Sequence, residues 1–122
     1  MKRFFLPTLC FVLLCSSCQL DTQNKKLILG RWRGTEWLEN GQPSNKNATG
    51  TSFVFNDKGE YTYDYAGTIE KGTYKVESDK LFTTPANGLE MMVYLKKLTS
   101  DSLVFDMSKG GQPETLTLLR QK

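Results

Sequence analysis

The chain has 122 residues, enough for one domain, with 16 Lys and Arg against 13 Asp and Glu and no His. Without His the commonest neutral-pH general base and metal ligand is missing, which excludes Ser-His-Asp and Cys-His catalysis and His-based zinc sites. The formal net charge of +3 gathers into no basic stripe, so no nucleic-acid partner is expected.

The chain opens with Met1-Lys2-Arg3, a short positive segment, followed by an apolar run over residues 4–15 broken only by Pro7 and Thr8. A spanning helix needs about 20 apolar residues, so this run reads as a cleaved export signal. It ends in Cys15-Ser16-Ser17-Cys18, small residues ahead of a cysteine. That ending resembles the lipobox of bacterial lipoproteins. The resemblance implies a signal over residues 1–17 and a diacylglycerol on Cys18, which becomes the new N-terminus and anchors the protein to a membrane. Gln19 rather than Asp follows the acceptor, which implies an outer-membrane lipoprotein of the cell envelope. Cleavage leaves roughly 105 residues, well above the size of about 60 at which domains often fold unaided. All three cysteines lie at or before Cys18, so the mature domain must fold on its core alone, without a disulfide.

Residues 18–26 are polar and read as a tether. The barrel domain then spans residues 27–122. Leu27-Ile28-Leu29 is expected to close a helical turn, ended by Gly30. Strand signals follow at close intervals, over residues 32–38, 51–55, 60–65, 69–77, 80–84, 90–98, 102–107 and 114–120. Asn56-Asp57-Lys58-Gly59, Ala66-Gly67, Ser78-Asp79, Ala86-Asn87-Gly88 and Thr99-Ser100-Asp101 supply the turns. Residues 40–50, with Gly41, Pro43, Asn45 and Asn47, read as one long loop. Alternation puts Phe53 with Phe55, Tyr74 with Val76, Leu103 with Phe105 and Met107, and Leu116 with Leu118. Met91 and Met92 read as core filler. About eight strands in sequential hairpins define an all-β, antiparallel up-and-down meander, and closing it into a barrel removes the exposed edges.

Gly30-Arg31-Trp32 on the first strand, the strand count, and Leu116-Thr117-Leu118-Leu119-Arg120 on the last resemble the lipocalin-type (calycin) barrel. The similarity is to the small lipocalin-like domains of Bacteroidetes-type lipoproteins. It implies a structural plug at the closed end, with Trp32 filling the barrel behind Gly30 and Arg120 packed over the indole. A guanidinium over a buried indole contributes about 0.5–2 kcal/mol. It also implies that a small apolar ligand occupies the interior.

No phosphate-binding glycine loop and no paired carboxylates stand out, so no catalytic residue, cofactor or metal is expected, and the protein reads as a non-enzyme. Binding remains. Tyr61, Tyr63, Tyr65, Tyr74 and Tyr94 all lie on expected strands. Facing inward they would line a ligand pocket with apolar walls and polar tips. Facing outward, with Trp37, they would form an aromatic surface for an envelope protein or glycan, around a filled barrel. The plainer alternative is that they fill the core. Glu36 shares the face of Trp32 by strict alternation. Inside a barrel its carboxylate would be a polar handle for a ligand; otherwise it marks a bulge or the strand leaving the mouth.

Overall fold

The structure is a computed structural model describing residues 16–108 and 111–122. The signal read over residues 1–17 lies almost wholly outside the described residues, as does the side chain of Cys18. The elements are α1 (Ser16–Leu27), β1 (Gly30–Glu39), β2 (Gln42–Pro43), β3 (Thr51–Phe55), β4 (Glu60–Tyr65), β5 (Thr68–Glu77), β6 (Lys80–Pro85), β7 (Met91–Leu98), β8 (Ser102–Asp106) and β9 (Glu114–Gln121).

All pairings are antiparallel, and β3 to β9 follow one another in sequence order. β1 pairs with β3 through its first residues and with β9 along its length, closing eight strands into a barrel. β2 is an addition at the margin of β1. Asn40 and Gly41 both take positive φ (54° and 75°), the requirement of a two-residue hairpin turn, and so residues 40–50 are a hairpin followed by a loop.

The remaining turns follow their chemistry. Asn56 Oδ1 accepts from the backbone N–H of Lys58 (3.0 Å) and Glu60 (2.9 Å), closing the β3–β4 turn on its own side chain. In the β5–β6 turn Ser78 holds φ of 58°, a conformation that a non-glycine residue adopts only with support. The support comes from α1, the stretch read as a tether. Asn24 is buried and donates to the Ser78 carbonyl at 2.9 Å, and the Asp21 carboxylate accepts from the Ser78 N–H. The helix is thus fastened to one end of the barrel.

The core fills the half of the barrel nearest α1. Ile28, Trp32, Phe55, Val76, Leu81, Leu103, Phe105, Leu116 and Leu118 are essentially inaccessible to solvent. They come from β1, β3, β5, β6, β8 and β9 and from the α1–β1 link. Each of those on a strand is the inward member of its alternating pattern.

Candidate ligand-binding cavity

The two ends of the barrel differ. At the end carrying α1, Trp32 lies across the interior and its Nε1 donates to the Ile28 carbonyl at 2.8 Å. Arg120 is its cross-strand partner on β9, with the guanidinium carbon 4.2 Å from the indole centroid. The same guanidinium donates to the carbonyls of Leu29 (2.6 Å), Leu27 and Ser100. The α1–β1 link and the β7–β8 turn are thereby gathered over one ring. Gly30 makes room: its φ is 119°, and a Cβ there would sit 2.6 Å from Arg120 Nη1. Gly30, Trp32 and Arg120 together close this end.

The other end is hollow. A cavity of about 360 Å³ opens between β1, β3, β4, β5, β6, β7, β8 and β9, within the usual range for small-molecule sites, about 300–1,000 Å³. Its floor is aromatic. Phe53 stacks on Tyr63 (centroids 4.6 Å) and meets Phe105 edge-on (5.3 Å). Leu81, Val93 and Leu116 complete the apolar wall, and Met91, Met92 and Met107 form the rim. Met91 and Met92, read as core, are half exposed here.

Polar groups are few, and the main ones form one pair and one set of three. Tyr61 Oη donates to Glu70 Oε2 at 2.6 Å. Trp37 Nε1 donates to Glu114 Oε2 at 2.6 Å, and Lys46 Nζ reaches the same oxygen at 2.9 Å. Lys46 also lies 5.2 Å from the Trp37 ring centroid. It comes from the loop before β3, which crosses β1 so closely that a Cβ on Gly34 would meet the Ala48 carbonyl oxygen at 2.2 Å. Burial, and then the Glu70 carboxylate beside it, push the Tyr61 hydroxyl far up from its ordinary value. Burial likewise raises Tyr63 and Tyr74. The hydrogen bond to Glu114 holds the Lys46 ammonium above its usual range. Each of these groups keeps its proton throughout the neutral range.

Of the tyrosines, Tyr61 and Tyr63 line the cavity. Tyr65 braces the rim: its hydroxyl accepts from the Asn47 N–H at 2.9 Å and its ring meets Trp37 edge-on at 6.1 Å. Tyr74 lies nearer the plug, packed on Phe55 and donating to the Asn56 carbonyl at 2.7 Å. Tyr94 is exposed on the outer face and does not line the cavity.

Glu36 is also corrected. The β1–β9 register shifts between Gly34 and Glu36, leaving Thr35 as an extra residue. A bulge of this kind reverses the parity of the strand beyond it. Glu36 is therefore exposed and Trp37 points inward. Glu70 and Glu114 were legible by parity. Glu70 lies four residues before Tyr74 on β5 and Glu114 two before Leu116 on β9, each on the inward face. Lys46 had no such signal, because it reaches the cavity from a loop.

A wider groove of about 920 Å³ runs between α1 and the β5–β6 hairpin, lined by Lys25, Lys26, Lys75 and Lys80 with Asp21, Asp57 and Glu77. It is a surface channel with charges of both signs, whereas the mouth cavity is walled on all sides by the barrel. No group of three or more metal-ligating side chains occurs among the described residues.

A closed antiparallel barrel of eight strands, plugged at one end and hollow at the other, is the architecture of the lipocalins. The model of the lipocalin-like domain family matches residues 28–105, and the chain belongs to that family. Among solved structures it is similar to a lipocalin-like protein from Bacteroides uniformis, with TM-score 0.60 and 13% identity over 78% of this chain and 98% of that one. It is also similar to a DUF4847 family protein from Bacteroides vulgatus, with TM-score 0.57 and 11% identity over 82% and 99%. At these identities the likeness is one of fold. No curated protein matches the chain.

Proposed function

We propose that this is a non-enzymatic binding protein of the cell envelope that holds a small, mainly apolar ligand in the open half of its barrel. The observation that carries the reading is the cavity of about 360 Å³, with its aromatic floor and its few polar groups. A barrel serving only as an interaction surface has no use for a hollow mouth, and filling it with larger side chains would stabilise it. The test is a titration of the full-length protein with N-phenyl-1-naphthylamine, a neutral probe that brightens in apolar surroundings. Saturable one-to-one binding is expected, and no binding contradicts the proposal.

The envelope location rests on the sequence before the barrel, with Cys18 carrying the lipid and two acyl chains giving stable anchorage. Asp21 and Asn24 fasten α1 at the plugged end. This supports a bilayer on that side, with the mouth facing away from it. A Cys18→Ala variant is expected to lose the lipid mass and leave the membrane fraction. Unchanged fractionation contradicts the anchor.

A further inference from the structure

The charges around the cavity identify the head group of its ligand. We infer that the ligand is a cation, an amine with an apolar body whose ammonium group pairs with Glu70; the inference rests on the cavity being the binding site. The described lining carries two carboxylates, Glu70 and Glu114, and one ammonium, Lys46. Lys46 is committed to Glu114 at 2.9 Å. Glu39, the cross-strand partner of Glu114, adds another negative charge within reach of Lys46.

Glu70 sits on the β5 wall as the register partner of Tyr63. It accepts the Tyr61 hydroxyl hydrogen at 2.6 Å. No described Lys or Arg forms an ion pair with it. A carboxylate partly withdrawn from water beside aromatic walls is costly until a counter-ion arrives. An ammonium entering the mouth supplies that counter-ion. An anionic head group meets the opposite situation. To reach Lys46 it must displace Glu114, and it then faces Glu39, Glu70 and the released carboxylate.

The experiment is displacement of bound N-phenyl-1-naphthylamine from the full-length protein at neutral pH by decylamine, decanol and decanoate, which share one apolar body. Decylamine is expected to displace the probe at a concentration about tenfold below decanol and further below decanoate. Glu70→Gln, checked for an unchanged melting temperature, is expected to bring the amine-to-alcohol ratio close to one. Decanoate matching or outranking decylamine on the unaltered protein overturns the inference, as does a ratio that Glu70→Gln leaves in place. Failure of the probe to bind at all defeats the cavity reading itself, so the two failures are told apart.

Discussion

Arg120 ties together one end of this barrel. Its guanidinium covers Trp32 and donates to three carbonyls from the α1–β1 link and the β7–β8 turn. Arg120→Ala removes the stacking and leaves those carbonyls short of a donor. The combined loss is about 2–4 kcal/mol, read as a lower urea midpoint with an unchanged slope; an unaltered midpoint contradicts it. Trp32 and Arg120 were legible as partners only through the resemblance to the lipocalin-type barrel, because strand alternation by itself does not say that the first and last strands meet. Tyr94 was not legible in the same way. It lies in a continuous apolar run, Met91 to Leu95, where alternation has no polar residues to mark the outer face.

At the scale of the element, β1 decides where the cavity is and what lines it. Its bulge at Thr35 turns Trp37 inward and Glu36 outward. Sequence periodicity assumes an unbroken ladder, so a single inserted residue misassigns every position beyond it. The same strand holds the loop before β3 in place through Gly34, where the Ala48 carbonyl oxygen occupies the space that a Cβ would need. Gly34→Val cannot fit without lifting that loop and carrying Lys46 away from Glu114. It is expected to cost about 1–3 kcal/mol and to open residues 44–50 to limited proteolysis, whereas protease resistance equal to the parent contradicts the packing. The β2 hairpin was written in the sequence as Asn40-Gly41, a strong two-residue turn signal. It was hidden by the surrounding polar residues and Pro43. The helical state of residues 16–27 had no such signal. That segment is polar on most sides and is held by Asp21 and Asn24 on the β5–β6 turn, a tertiary contact that local pattern does not record.

For the molecule as a whole, the order and extent of the eight barrel strands followed from alternation and turn chemistry, while the hollow did not. Cavities depend on how side chains from opposite walls meet, and strand patterns show only which residues face inward. The walls also set the pH response. Tyr61, Tyr63, Tyr74 and Lys46 all hold their protons more tightly folded than unfolded. The unfolded chain therefore releases these protons first as pH rises. Their contribution is complete below the ordinary tyrosine value of 10.0 and is lost above it. Urea midpoints are expected to stay level from about pH 7 to 9 and to fall above about pH 10; a midpoint that rises there contradicts the burial of these groups. The central claim, that the ligand sits inside the mouth, is tested most directly by one comparison. N-phenyl-1-naphthylamine is titrated into the parent, into Val93→Trp, which fills the cavity, and into Val54→Trp, which adds the same side chain to the outer face. Binding by the parent and Val54→Trp alike, with at least about a tenfold loss in Val93→Trp, is the expected result. Equal binding by all three would put the probe elsewhere on the protein and contradict the account.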